Sequence, residues 1–527
     1  GNFAKNIAMP QLVIKEFRKG LIKNYGGALN ASQEGNEGEY QRTGGIDLFR
    51  QGFDGHLTPA QIFSQTPITN ANINSHVRGF AVDAVTEDAV YLILGGLTAG
   101  VAPRVERLSP MGTYDADGSY AIVAPGGNFT TLPSGTGYWG EDIILYNVSG
   151  TNRIFFSFNT STVGDVGTAT LTGGAPTFDN DFMSTVPTGA AALQNNVPHK
   201  MVVGPDRNLW VTNGRYVSRY DGSTSTFTQT AYDAGYGWIT TDVKVWKSFL
   251  VISMIYTGAN YILRNSLNIS RVAIWNTADP GLGNIYDLSA GNIASIHVGP
   301  LGELYAFTEK VGDLAQLRRL EGSDFRILKE WSTTLYGSAP LPQGVDNYRG
   351  LIVWVARDSI SSFTLAYDPI FDALHVPFIC NDGTNDATSM GMLKNIDANN
   401  LYVSMLSGST YELAFLNGSS GYGSTARDIR TPVKRLPFRS TIKGFKFFFS
   451  QLAASASARI SFFQDYSTLS IGGTADELDL TIDNTTYGAI AEYERKRTIA
   501  NVSSFYMNIR VTGQVSVVAV IVEYEPR

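Results

Sequence analysis

From about residue 67 to 428 the chain repeats one phrase. A short apolar run is followed by a turn rich in Gly, Asn or Asp, a second apolar run, and often a third that ends in a polar turn. The clearest copy runs from Met201-Val202-Val203 through Gly204-Pro205-Asp206-Arg207-Asn208 to Leu209-Trp210-Val211-Thr212. It continues through Asn213-Gly214 to Tyr216-Val217-Ser218-Arg219-Tyr220 and ends in Asp221-Gly222. Asn-Gly and Asp-Gly are the dipeptides that tight hairpins require, because their turns need positive φ. Ile293 to Gly322 uses the same grammar, and weaker copies lie at Phe80–Leu108, Asp142–Phe158, Val243–Trp275, Val345–Asp368 and Met392–Phe415. Copies begin roughly 40–60 residues apart, the spacing of propeller blades with inserted loops. A single sheet of this kind cannot cover its own apolar faces, whereas sheets stacked around an axis cover one another. The pattern predicts an all-β fold with a β-propeller of about six to seven blades.

The flanks read differently. Residues 1–66 hold one apolar stretch, Leu12-Val13-Ile14, in a basic segment with Lys5, Lys15, Arg18, Lys19 and Lys23. Glycine pairs follow at Gly26-Gly27 and Gly44-Gly45. This reads as an extended N-terminal arm lying along the main body or along a neighbouring subunit. Residues 429–527 lack the blade grammar. Strands are expected over Ile442–Phe449, Ala458–Phe463, Ser503–Arg510 and Val515–Tyr524. Phe505, Met507 and Ile509 alternate onto one face. These strands predict a small C-terminal β-sandwich. Arg430, Lys434, Arg435 and Arg439 precede it as a linker or a seam.

Composition agrees with this reading. The chain has 527 residues, is 43% hydrophobic and only 17% charged, and carries 54 glycines and 26 tyrosines. Such a mixture suits short strands and tight turns rather than long solvated helices. A net charge of −7 argues against a global electrostatic grip on nucleic acid. Cys380 is the only cysteine, so no disulfide joins two parts of the chain; it is expected as a small buried hydrophobe. No run of about 18 apolar residues predicts a membrane span. Gly1–Pro10 lacks the apolar core of a secretory leader.

Candidate chemistry is sparse. The five histidines, His56, His76, His199, His297 and His375, show no metal-ligand spacing, and His199 and His297 read as structural members of two blades. No nucleophile elbow and no phosphate loop occurs. Asp115-Ala116-Asp117-Gly118 and Asn381-Asp382-Gly383-Thr384-Asn385-Asp386 are incomplete as calcium loops and fit plain turns. Any of 47 acidic residues could meet as a catalytic pair, so none is singled out. No catalytic, cofactor-binding or metal residue is therefore assigned. The expectation is a protein that binds or assembles and is not an enzyme.

The chain's ends carry a resemblance. Lys15-Glu16-Phe17-Arg18-Lys19-Gly20-Leu21 with Gly26-Gly27-Ala28-Leu29-Asn30, then Gly44-Gly45-Ile46-Asp47-Leu48-Phe49-Arg50-Gln51-Gly52-Phe53, resemble opening phrases of tailed-bacteriophage virion proteins with propellers. The closing strand Val518–Pro526 is similar to theirs. The resemblance is to the nozzle, or tubular, proteins of short-tailed phages. It implies a structural virion protein of the tail or the head–tail junction. Its partners would be other virion proteins and copies of itself in a ring, often sixfold, with DNA only passing through the channel. The subunit contacts would fall on Lys15, Arg18, Lys19 and Lys23, with Lys434, Arg435 and Arg439 second. Two alternatives stand beside it: a carbohydrate- or receptor-binding propeller at the tail tip, and a polysaccharide-degrading propeller. The last predicts two or three carboxylates gathered on one propeller face.

Overall fold

The computed structural model describes residues 9–527 apart from 16–19, 22–38, 48–56, 64–72, 84–88, 96–102, 109–138, 258–268, 381–386, 396–400, 417–426, 465–479 and several shorter stretches. Its regular structure is almost all strand. Among the described residues no helix is long and apolar enough to cross a membrane. The chain forms two compact units, one of Gly1–Phe63, Phe363–Asn385 and Ser419–Arg527, the other of Ser64–Ser362 and Asp386–Gly418. The stretches 1–66, 67–428 and 429–527 read from the sequence are thereby regrouped. The cause is strand pairing. Gln11–Lys15 runs antiparallel to Val515–Pro526, with Gln11 opposite Glu523 and Lys15 opposite Ala519. Arg42–Gly44 pairs with Arg427–Arg430, and Leu57 bridges to Val517. The apolar run Leu12-Val13-Ile14 has too little surface to fold alone, and this sheet buries Ile14.

The second unit holds the propeller. Four of its sheets have four strands each, in simple up-and-down order. They are Trp139–Val148 through Thr177–Asp179, Met201–Val203 through Thr226–Asp233, Trp238–Trp246 through Asn284–Leu288, and Asn292–Val298 through Asp324–Ser332. The three-stranded sheet Val77–Asp83, Ala89–Leu94, Arg104–Leu108 precedes them. The Val345–Tyr348 and Leu351–Arg357 pair and the Leu401–Ser407 sheet follow. First strands of successive sheets lie side by side: Val77–Asp83 by Trp139–Val148, then Met201–Val203, Trp238–Trp246 and Asn292–Val298 in turn. Closure is made by side chains, since the Val77 amide donates to Ser404 Oγ at 3.0 Å. The all-β propeller of about six to seven blades expected from the repeat is the fold of this chain.

Local chemistry fixes the blade edges. Gly214 takes φ +61° in the Asn213-Gly214 hairpin, and Arg207 takes φ +64° in the turn before Leu209. Between blades the faces interlock. Trp210, Val217 and Tyr232 of one sheet pack with Val243, Leu250, Ile252 and Trp275 of the next. Burying each such side chain contributes about 1.5–3 kcal/mol, which is why the repeat is apolar on both faces.

In the first unit an eight-stranded sheet carries the C-terminal region. The strands expected there all occur, inside the longer Lys434–Leu452, Ser457–Gln464, Glu492–Thr512 and Val515–Pro526. Glu492–Thr512 changes partner along its length. Its first part pairs with Lys434–Leu452 and its last part with Ser457–Gln464 and Arg427–Arg430. Phe505, Met507 and Ile509 enter one core with Phe445, Phe447 and Phe462, as their alternation requires. Arg430, Lys434, Arg435 and Arg439 are strand residues here and not a linker. Cys380 is buried, and burial pushes its thiol up to about 12, which suits a small hydrophobe.

Candidate functional site on the propeller's first strands

The first strands share a device. Four of them slip register near their start, at Val77/Gly79, Gly140/Asp142, Thr240/Asp242 and Ile293/Ser295. A bulge re-aims the side chains beside it. After two of these bulges stands an aspartate that reaches across to the next blade. Asp142 accepts from the Ile143 amide at 2.9 Å and from the Met201 amide of the following first strand at 2.8 Å. Asp242 accepts from the Val243 amide at 2.8 Å and from the Ile296 amide at 3.1 Å. Asp346 lies on a further first strand and accepts from the Asn347 amide at 2.8 Å. Lys244 stands 3.6 Å from Asp242. Burial opposes the Lys244 charge, but Asp242, Asp142 and Asp346 outweigh it and raise its pKa. Burial raises Asp242, against the pull of Lys244 and of the Ile296 amide.

The residue on the second bulge, Glu141, is held differently. Its side chain is 13% exposed and its nearest Lys200 ammonium is 3.4 Å away. One carboxylate oxygen accepts from Trp139 Nε1 and, at 3.3 Å, from Asn159 Nδ2. Lys200 also donates to the Glu141 carbonyl at 2.5 Å. Arg78, on the first bulge, senses the Glu141 charge, which offsets part of the lowering that burial imposes on it. His199 beside them is fully buried, which lowers its pKa, and its Nδ1 donates to the Thr212 carbonyl at 2.9 Å. His76 falls to about 4 through burial and the Arg78 charge.

This arrangement separates two kinds of carboxylate. Asp142 and Asp242 each have one oxygen occupied by a backbone amide of the next first strand, so they act as clamps. Glu141 is oriented instead by the side chains of Trp139, Asn159 and Lys200.

The structure confirms the structural reading of two histidines. His199 sits as described, and His297 Nε2 lies 2.8 Å from Asn347 Oδ1 on the neighbouring blade. Of the seven contact residues read from sequence, Lys15 is exposed on the Gln11–Lys15 strand. Lys434 is half-buried, and Arg435 and Arg439 are exposed, all three on one strand. Arg18, Lys19 and Lys23 lie outside the described residues, as do both acidic turns tested for calcium. Among the described residues no group of three or more His, Cys, Asp or Glu could hold a metal ion. Glu141 was missed because one strand phrase says nothing of its neighbours. The usable signal was recurrence: Asp142, Asp242 and Asp346 stand near the start of three copies of the repeat.

No protein-family description matches the chain, and no curated protein matches it. Solved structures do. A puromycin hydrolase shares 14% identity over 68% of this chain and 55% of its own, with a TM-score of 0.39. An exo-β-1,3-galactanase from Phanerochaete chrysosporium, with galactose, shares 10% over 64% of this chain and 98% of its own, with a TM-score of 0.28. A polysaccharide lyase shares 10% over 66% and 91%, with a TM-score of 0.38. The chain thus spans little more than half of the hydrolase. At these identities the likeness extends to the fold and no further. All three neighbours are enzymes, and the expectation that this chain is not an enzyme is corrected accordingly.

Proposed function

We propose that this chain is a polysaccharide-acting propeller, with Glu141 as its proton-carrying group. One observation carries the reading. Glu141 is a carboxylate on the first strands whose described contacts come from side chains, Trp139, Asn159 and Lys200. Carboxylates gathered on one part of a propeller are what glycan cleavage asks of this fold. Lys200 and Arg78 supply the positive field that keeps Glu141 oriented and that would meet an acidic sugar. The test is product release from a panel of neutral and uronic-acid polysaccharides, read both as reducing ends and as unsaturated sugars. Glu141→Gln preserves the volume and the Trp139 contact and is expected to slow cleavage about 10²–10⁴-fold with binding retained. Cleavage at the wild-type rate in Glu141→Gln, or none by the wild type on any substrate, would sink the reading.

A second reading, a structural protein of a tailed-phage particle, starts from the resemblance of the chain's phrases to virion proteins. The phrases that resemble virion proteins stand at opposite ends of the sequence, yet residues from three of them share one sheet. Lys15 pairs with Ala519 and Gly44 pairs with Asp428, with two strands between these two pairs. Shared placement is what a common attachment platform would need. Peptide mass mapping of purified particles, followed by imaging, decides it. Particles lacking the chain would remove this reading and leave the first untouched.

A further inference from the structure

Two exposed features of the first unit complement each other. The first is a bulge. Along Lys434–Leu452, Arg435 faces Ser504 and Ser440 faces Val502, so residues 436–439 have only Ser503 opposite them. Leu436 turns inward, while Phe438 is 65% exposed between the exposed Arg435 and Arg439. The bulge is pinned. Ser440 Oγ donates to the Phe438 carbonyl at 2.7 Å, and the Arg527 amide donates to the Arg439 carbonyl at 3.0 Å. An exposed Phe on a fixed backbone between two guanidinium groups forms a small basic-rimmed apolar knob.

The second feature is the turn after Ser362–Asp368. It exposes Ile370 by 73% and Phe371 by 46%, and Asp372 beside them is also exposed. It too is rigid. The Asp368 carboxylate accepts from the Ile370 amide at 2.8 Å and the Phe371 amide at 3.2 Å. Tyr367 OH donates to Asp372 Oδ1 at 2.8 Å. Here the apolar pair is followed by a carboxylate. Scattered exposed apolar residues are ordinary on any surface. Two pre-ordered apolar tips edged by opposite charge are less so, because each gives up little conformational freedom on docking.

We propose that the Ile370–Phe371 turn of one copy docks against the Phe438 bulge of a second copy, with Asp372 set toward the Arg435–Arg439 pair. The argument for a second copy is charge complementarity: this chain supplies both the basic and the acidic half. The two halves are different surfaces, so the contact is head-to-tail. Repeated, it closes a ring or extends a filament. The contact is an anchor within a larger interface, since a stable one buries on the order of 1,200–2,000 Å².

The experiment uses the full chain. Light scattering after gel filtration should give the wild type a mass above the 57.2 kDa of one copy. Phe438→Asp and Ile370→Asp should each return it to one copy, with an unchanged far-ultraviolet circular dichroism spectrum because both side chains face solvent. Cys380, the only cysteine, is buried, so single cysteines can be placed cleanly. Phe438→Cys mixed with Ile370→Cys should form a disulfide-linked pair under mild oxidation, and neither alone should. A wild type that stays at one copy at every concentration overturns the proposal. So does an assembly indifferent to Phe438→Asp, or a Phe438→Cys variant that links to itself.

Discussion

Replacing Asp242 by Ala is expected to lower the unfolding free energy by about 3–5 kcal/mol, the usual cost of breaking a buried charge network from one side. Its side chain is fully buried and bridges two blades. Ala would strand the amides of Val243 and Ile296 without acceptors and leave the Lys244 ammonium without its nearest counter-charge. Asn keeps one acceptor oxygen and should lose about half as much. Chemical denaturation with a fitted slope measures both. A loss under about 1 kcal/mol for Ala would show that water or a shifted strand replaces the carboxylate, and the clamp would be an incidental contact.

Trp210→Ala should cost a similar amount, about 3–5 kcal/mol, for an apolar reason. The ring is buried, meets Trp275 of the next blade edge-on at 5.4 Å, and donates through Nε1 to Asp206 at 2.9 Å. The backbone of Gly204 lies so close that a Cβ there would sit 2.5 Å from the indole. Glycine at 204 is therefore part of the same packing. Trp210→Phe keeps most of the buried area and loses the Asp206 bond, so it should cost distinctly less. Equal losses for Phe and Ala would mean that the bond to Asp206 inside the blade outweighs the ring's packing against the next one.

Legibility in the sequence followed the range of the interactions. The blade from Met201 to Asp221 could be read residue by residue because its turns are local: Gly214 and Arg207 hold left-handed conformations where the hairpin or turn demands them. Phe505, Met507 and Ile509 were equally plain, since alternation is a property of one strand. Pairing between distant strands left no such mark. The basic stretch at Arg430, Lys434, Arg435 and Arg439 read as a linker or a seam because it precedes the apolar strands, and it includes Pro437, which interrupts the pattern. In the sheet that interruption is a bulge, which tolerates Pro where no ladder bond is needed. The opening segment read as an arm because Leu12-Val13-Ile14 carries no sign of its partner Ile521 and the residues beside it. The Glu141 cage draws on Trp139, Asn159 and Lys200, whose mutual approach depends on blade twist and on bulges that no spacing announces.

The pairing of Gln11–Lys15 with Val515–Pro526 also sets a timetable. A ribosome releases the first of these strands hundreds of residues before the second. Throughout that interval Leu12, Val13 and Ile14 wait with no ladder to join, while the blades between them can already condense one after another. That sheet cannot close until Val515–Pro526 has been made, and the early strand must be kept from sticking elsewhere until its partner is born.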